Sequence, residues 1–407
     1  MNSGPALQSL CPDELALLAG IDLVDARRLV SQIQKHGALP ERSPATIRRV
    51  ALDRTRAAGN VPQLSLVERR ASAVDPFVKY AFRTLDDKLI ETVRIPLEKP
   101  GRFSVCISSQ VGCALGCRFC ATGLMGLARN LETWELVEQV RQIRADLPEA
   151  TEGGVKSRIH GLVFQGMGEP LANVDRVIRA VRVLGEPSGL AIDQRNVTIC
   201  TSGLPLAIRR LTKELPQVRL GVSIGDARPG RRAALMPIDD THPLDEVLEA
   251  AGDHARATGY APMWAYTLLA GINDGADAAL ALAERARQFA QRFDIRPRIS
   301  LIPYNQIEGA PFDRASDATL VAFRAALLAG GTGSIVRYSG GGDVGAACGQ
   351  LATLSRKTPE ARKTPEARKT PEARKTPEAR KTPEARKTPE ARKTPEVMAG
   401  SARDCSA

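Results

Sequence analysis

The 407-residue sequence lacks long apolar runs and has few cysteines for its length. No stretch approaches the roughly 20 apolar residues of a membrane-spanning helix, so we expect no membrane partner. The opening "MNSGPALQSLCPDELALLAG" lacks the basic start, apolar stretch and cleavage site of a secretory signal, which predicts a cytoplasmic protein. Eight cysteines in so long a chain do not predict a disulfide scaffold, and clustered cytoplasmic cysteines more often bind metal or do chemistry.

The net charge of +11 has a simple source near the end of the chain. From Arg356 the unit "RKTPEA" occurs six times and then once more without its final alanine, and each unit adds one positive charge. Only +4 is left for the rest of the chain, so charge is a weak indication of an RNA partner for the folded part. The regular prolines and the scarcity of apolar side chains predict a disordered basic tail over residues 356–407. A loose electrostatic tether to RNA is the alternative interpretation of this tail.

Two hydrophobic patterns divide the remaining chain. The stretches "PDELALLAG" and "DLVDARRLVSQIQKHG" have helical spacing, which predicts a small helical accessory domain within residues 1–75. Beyond about residue 100, apolar strands alternate with amphipathic helices in six units. This predicts a parallel α/β sheet over residues 76–355, folded as a partial (β/α)6 barrel because six units are too few for a closed eight-stranded barrel. In that architecture, reactive groups gather where strands end and loops begin.

The segment "SSQVGCALGCRFCATG" places Cys113, Cys117 and Cys120 in a C-x₃-C-x₂-C pattern after the first such strand. A structural zinc ion takes four ligands, and the candidates for a fourth are Cys106 upstream and the distant Cys200. A [4Fe–4S] cluster held by three thiolates instead leaves one iron open. The pattern is typical of radical S-adenosylmethionine (SAM) enzymes, in which SAM chelates that open iron. A zinc loop or inert thiols are the alternatives.

The segment "GMGEP", residues 166–170, follows one β/α unit later. Its glycines allow a close approach of the backbone, and Glu169 can accept a hydrogen bond from the amine of a bound methionine moiety. Gly-rich turns are common at strand ends, so the segment alone is a weak signal. Its position after the cysteine motif favours the iron–sulfur cluster over zinc.

Together these segments resemble the RlmN/Cfr family of radical SAM ribosomal RNA methyltransferases from about residue 80 to residue 352. The resemblance extends to "RNL", "LMPID", "GIND", "LIPYN" and "AACGQL", the last of which contains Cys348. It implies one [4Fe–4S] cluster per chain on Cys113, Cys117 and Cys120. The SAM contacts that it implies are Gly168, Glu169, Cys200, Ser223 and Asn305.

The same resemblance implies a reaction at C2 or C8 of adenine, which are electron-poor carbons that simple displacement on SAM cannot methylate. It implies that Cys348 first accepts a methyl group, which a 5′-deoxyadenosyl radical then activates for addition to the adenine ring. Glu91 is the implied proton acceptor. Cys106 is implied to free the product by forming a disulfide with Cys348, which reductant then reopens. For both cysteines, an ordinary core position is the alternative interpretation.

The resemblance further implies an RNA substrate, with adenosine in large-subunit ribosomal RNA as the first choice and transfer RNA as the second. An electron donor such as flavodoxin or ferredoxin and a monomeric state are also implied. Three departures concern the substrate pocket: Gly225 replaces a histidine, Cys200 replaces a serine, and "SGGGDVGAACG" lacks an arginine and an acidic residue. The competing hypotheses are a radical SAM enzyme acting on another substrate and a non-catalytic metal- or RNA-binding module.

Overall fold

The computed structural model describes residues 4–150 and 153–351, so the predicted tail over residues 356–407 lies outside the described residues. The helices are α1 Pro12–Ala19, α2 Leu23–His36, α3 Arg49–Ala58, α4 Thr133–Ala145, α5 Val174–Gly185, α6 Pro205–Glu214, α7 Leu244–Thr258, α8 Ala276–Phe293 and α9 Asp317–Ala329. The strands are β1 Ser65–Ala71, β2 Val78–Arg83, β3 Leu89–Pro96, β4 Arg102–Cys106, β5 Gln110–Cys113, β6 Gly126–Asn130, β7 Arg158–Phe164, β8 Val197–Thr201, β9 Arg219–Ser223, β10 Met263–Leu268, β11 Arg298–Pro303 and β12 Ser334–Val336.

The first three helices form where the sequence predicts helical structure. Helix α2 begins after Asp22, whose side chain accepts a hydrogen bond from the backbone N–H of Asp25, and it ends at Gly37 in the left-handed conformation. The helices bury apolar side chains against one another, and this cluster includes Leu7, Leu15, Leu29, Val30, Ile33, Ala51 and Leu52. The N-terminal helices therefore have an apolar cluster of their own.

A ten-stranded sheet forms the main layer, in the order β1-β2-β3-β4-β7-β8-β9-β10-β11-β12. From β4 onward each neighbouring pair is parallel, and a helix lies between successive parallel strands along the chain. The six predicted strand–helix units are present, which confirms the predicted α/β fold. Within residues 4–150 and 153–351, no helix is long and apolar enough to span a membrane.

The first three strands extend the barrel with antiparallel pairs that the sequence patterns did not predict. Strand β1 lies within the range predicted for the helical domain, yet it pairs with β2 of the main sheet. Strand β2 is almost wholly buried, so this extension is part of the core. The division of the chain at residue 75 stays a prediction.

Candidate active site

The three motif cysteines lie on a tight loop that glycines make possible. Gly112 has φ +78, and a side chain there would collide with the backbone of Gly126 on the paired strand β6. A Cβ on Gly123 would lie 2.7 Å from the carbonyl oxygen of Cys117. All three motif cysteines line one cavity of about 130 Å³, together with Gly168, Glu169, Cys200, Ser223, Asn305 and Cys348. The structure thus brings every predicted cofactor-binding residue to one place.

The electrostatics of the three thiols favour binding of a cationic group. Burial, with a smaller contribution from neighbouring motif cysteines, raises the pKa of Cys113 and of Cys117 to about 12. Burial also raises the pKa of Cys120. Thiolates at these positions therefore need positive charge beside them, which a bound metal centre supplies.

Three thiols lining one cavity are the donor set that a [4Fe–4S] cluster of this kind takes. In the described ranges, no three His, Cys, Asp or Glu side chains are placed to hold a single metal ion. A [4Fe–4S] cluster binds each thiolate through a different iron and so spaces the thiolates more widely than one zinc ion does. Cys113, Cys117 and Cys120 would hold the cluster, and Gly168 and Glu169 line the same cavity.

The "GMGEP" segment packs directly against the cysteine loop. Gly168 has φ +92, and a side chain there would collide with Gln110. The backbone N–H of Glu169 donates to Oε1 of Gln110 at 2.8 Å. The buried Glu169 carboxylate accepts from the backbone N–H groups of Leu171 at 3.0 Å and Ser202 at 2.8 Å, while burial raises its pKa. These bonds fix the carboxylate and leave it lone pairs for an ammonium group.

Strand register places the remaining predicted residues on the inner face of the barrel. Cys106 at the end of β4 pairs with Val163 of β7, and Gln165 follows two residues later, so Gln165 points to the same face as Val163. The Cys200 thiol on β8 lies 3.7 Å from Oε1 of Gln165 and donates to it. Ser223 ends the next strand and lines the same cavity. The cavity wall is thus built from the ends of neighbouring parallel strands.

Two departures from the family pattern are accommodated by local geometry. A Cβ on Gly221, which pairs with Cys200 across β8 and β9, would lie only 2.9 Å from the Cys200 sulfur, so a glycine there leaves room for the thiol. Burial raises the pKa of Cys200 to about 12. Gly225 has φ +71, and a Cβ would lie 2.7 Å from the sulfur of Met236. A histidine at position 225 would therefore require Met236 to move.

Cys348 lies on a loop fastened to the cofactor cavity. Its backbone N–H donates to Oγ of Ser339 at 2.9 Å, and its carbonyl accepts from Nδ2 of Asn305 at 3.0 Å. The next residue accepts through its carbonyl from the backbone N–H of Ala121 in the cysteine loop at 2.8 Å. The thiol of Cys348 is therefore held beside the predicted cluster.

Cys348 also borders a second cavity, of about 80 Å³, which Cys106 and Arg337 line as well. Burial raises the pKa of Cys106, and Cys348 and Cys200 add to this effect. The structure holds both reactive cysteines as free thiols, and no disulfide occurs among the described cysteines. The disulfide that the resemblance implies is therefore not a feature of this structure.

Glu91 forms a buried ion pair that sequence patterns did not indicate. Its Oε1 lies 3.5 Å from Nζ of Lys79, and both side chains are essentially unexposed. Nζ of Lys79 also donates to the carbonyl of Gly345 at 3.3 Å, three residues before Cys348. Burial lowers the pKa of Lys79, and the Glu91 carboxylate acts in the opposite direction. Because Val93 pairs with Cys106, Glu91 projects to the same face of the sheet as Cys106.

Replacing Lys79 with methionine is expected to lower the free energy of unfolding by about 3–5 kcal/mol, because the Glu91 carboxylate would stay buried without its ammonium partner. Urea denaturation of the metal-free protein measures the loss. Lys88→Met at an exposed hairpin position is the matched control and should change little. The double variant Lys79→Met/Glu91→Leu should recover most of the loss. A single Lys79→Met variant as stable as the Lys88→Met control would contradict the importance of the pair.

Sequence reasoning missed Lys79, Gln165 and Arg337. Gln165 directly precedes "GMGEP", so the end of a predicted strand could have indicated it. Arg337 follows β12, a three-residue strand with two exposed residues that gives almost no apolar pattern. The position of Lys79 beside Glu91 depends on the register of β2 and β3.

Comparison with known proteins agrees with this geometry. A sequence model of the Radical SAM superfamily matches residues 107–275. A crystal structure of a radical SAM methyltransferase from Sphaerobacter thermophilus superposes with a TM-score of 0.74 at 34% sequence identity, covering 85% of this chain and 99% of that chain. The fold and the site thus define a radical SAM enzyme.

Curated relatives narrow the class. A probable RNA methyltransferase from Sorangium cellulosum is 62% identical over 360 residues, which cover 84% of this chain and 91% of the relative. A dual-specificity RNA methyltransferase RlmN from an Anaeromyxobacter species is 39% identical over 357 residues, covering 86% and 90%. The chain belongs to the RlmN-type family of radical SAM RNA methyltransferases. The family implies a [4Fe–4S] cluster, SAM and an RNA substrate.

Proposed function

We propose that this protein methylates C2 or C8 of an adenosine in RNA, with large-subunit ribosomal RNA as the first substrate and transfer RNA as the second. One observation carries the proposal: Cys348 lines both the cavity of the three motif cysteines and the cavity that contains Cys106. A thiol that receives a methyl group in the first cavity and passes it to a base needs access to both a cofactor and a second thiol. The cysteine pair thus meets the requirement of a two-thiol methyl transfer.

Each residue has a distinct role in this proposal. When bound, the cluster and SAM supply the methyl group and the one-electron chemistry. Cys348 is the nucleophile: an electron pair of its thiolate forms the bond to the methyl carbon as the carbon–sulfonium bond breaks. Glu169 fixes the ammonium of the cofactor, and Ser223 and Asn305 lie along the same cavity. The reacting groups are thereby held close together before the RNA binds.

The later steps use the inner face of β3 and β4. Glu91 accepts the proton that leaves the adenine ring, either directly or through a relay. Cys106 then attacks the sulfur of Cys348, so that a sulfur–sulfur bond forms as the bond between that sulfur and the product carbon breaks. The Lys79 ammonium lies beside Glu91 and holds its carboxylate in place on this face before the transfer. An external electron donor such as flavodoxin or ferredoxin reduces the centre.

Deleting the gene is expected to remove one methylated adenosine from cellular RNA. Mass spectrometry of digested ribosomal and transfer RNA, kept as separate fractions, would detect 2-methyladenosine or 8-methyladenosine and distinguish the two. Returning the wild-type gene should restore the nucleoside, whereas returning the Cys348→Ala gene should not. The latter protein keeps the cluster cysteines and so separates methyl transfer from the presence of the protein.

Unchanged levels of both nucleosides in every RNA fraction after deletion would contradict the adenosine proposal. Such a result, with SAM cleavage intact in the purified protein, would favour a radical SAM enzyme with another substrate. The replacements at Cys200 and Gly225 would then be the first positions to examine for altered specificity.

A further inference from the structure

Arg337 places a cation among three thiols outside the predicted cluster, those of Cys106, Cys200 and Cys348. It follows strand β12, and its side chain lines the cavity shared by Cys106 and Cys348. Its Nη1 donates to Oε1 of Gln165 at 2.8 Å, and the same oxygen accepts from the thiol of Cys200. Gln165 therefore holds the guanidinium over the ends of β4 and β8.

The guanidinium forms no ion pair with a carboxylate in the part of the chain that the structure describes. Burial disfavours its charge, yet the thiols of Cys348, Cys200 and Cys106 raise the pKa of Arg337. A partly buried cation is normally paired with an anion. Since no described carboxylate supplies that anion to Arg337, another group must do so. The groups that face it are thiols, and a thiolate is the anion that they can supply.

Arg337 in turn acts to lower the pKa of the thiols that face it. Burial raises the pKa of Cys106, and Arg337 acts in the opposite direction. Burial likewise raises the pKa of Cys200, which Arg337 also opposes, while Cys348 and Glu169 act with burial. Cys348 also acts to raise the pKa of Cys120, one of the motif cysteines. Arg337 is thus the positive group that opposes the rise in pKa that burial causes in these thiols.

We propose that Arg337 is the counter-charge of the two reactive thiols, stabilising the Cys348 thiolate when it accepts a methyl group and the Cys106 thiolate when it attacks Cys348. In the first step the thiol proton leaves to solvent, the thiolate electron pair forms the carbon–sulfur bond, and the thioether of the cofactor leaves. In the second, the Cys106 electron pair forms the sulfur–sulfur bond as the bond between the Cys348 sulfur and the product carbon breaks, and the electron pair of that bond stays with the carbon, which takes up a proton. The inference rests on the proposed two-thiol function for these roles. The charge effect itself needs neither cofactor nor RNA.

Arg337→Gln is expected to slow the alkylation of Cys348 and of Cys106 roughly tenfold at one fixed, near-neutral pH, because the thiolate is the reacting form and its counter-charge is lost. The experiment treats the full-length metal-free protein with iodoacetamide and measures the rate of modification of Cys348 and Cys106 separately by peptide mass spectrometry. Arg337→Lys should keep both rates near those of the wild type, because an ammonium retains the charge. Arg324→Gln removes the same charge from an exposed position on α9 and should change neither thiol.

A second variant keeps the test decisive if Arg337→Gln fails to fold. Gln165→Leu removes the acceptor of the guanidinium and should slow the alkylation of Cys348 and Cys106 by a smaller amount. A folded Arg337→Gln protein with unchanged alkylation rates would overturn the proposal, and so would unchanged rates in Gln165→Leu where that variant alone can be measured. Because the alkylation assay contains no RNA or SAM, failure of the adenosine proposal would leave its outcome unaffected.

Discussion

Replacing Cys117 with alanine is expected to remove the bound iron and to abolish both 5′-deoxyadenosine formation and RNA methylation. Cys117 is only 9% exposed and lies between the other two motif cysteines in the loop. Without its thiolate, two irons of the cluster would have no protein ligand, and a cluster held by two thiolates cannot keep one defined open iron. Iron analysis after anaerobic reconstitution and chromatography of the SAM products measure the two losses.

Cys11→Ala is the matched control for this experiment. Cys11 is the N-cap residue of helix α1 in the N-terminal helical region, where its backbone N–H donates to Oε2 of Glu14, and it lies away from the motif loop in sequence. That variant should bind iron and cleave SAM like the wild type. Circular dichroism establishes that Cys117→Ala is folded. A folded Cys117→Ala protein that retained four irons and cleaved SAM at the wild-type rate would disprove the cluster assignment.

Alanine at Cys348 and alanine at Cys106 are expected to stop the reaction at different steps. Without Cys348 there is no methyl acceptor, so neither protein nor RNA should gain a methyl group. Without Cys106 the link between Cys348 and the RNA forms and cannot be released. Cys106→Ala protein purified from cells should therefore carry covalently bound RNA, seen as a slower gel band that nuclease removes.

The double variant Cys106→Ala/Cys348→Ala distinguishes this adduct from RNA that is merely tightly bound. The slower band should be absent from the double variant, because the attachment is through Cys348. Methylation of RNA by Cys348→Ala, or normal turnover by Cys106→Ala without any adduct, would exclude the two-thiol mechanism in this protein.

The parallel part of the sheet could be predicted from sequence because buried parallel strands give continuous apolar runs. The runs "HGLVFQGMG" and "RISLIPYN" correspond to β7 and β11. The gathering of the site residues in one place could also be predicted from sequence, since the carboxyl ends of parallel strands meet at one edge of the sheet. Strand β1, with its exposed and half-buried residues, gave no comparable signal.

The contacts around the reactive thiols could not be predicted because they depend on register and on loop placement. Lys79 and Glu91 meet only because β2 and β3 pair with one particular offset. Arg337 reaches Gln165, 172 residues earlier in the chain, through the curvature of the whole barrel. No local pattern specifies such pairs, whereas the C-x₃-C-x₂-C and "AACGQL" segments carry their chemistry in consecutive residues.

The two backbone bonds at Cys348 restrict how a methyl group could travel. Ser339 holds the amide and Asn305 holds the carbonyl, so the main freedom left to this residue is rotation about its Cα–Cβ bond. Cys348 already lines both cavities, and rotation among the three staggered positions of that torsion would re-aim the sulfur between them without any shift of the loop. Side-chain rotations of this kind take picoseconds to nanoseconds at accessible positions. Transport of the methyl group would then be far faster than catalysis, and turnover would be governed by bond making or by RNA release.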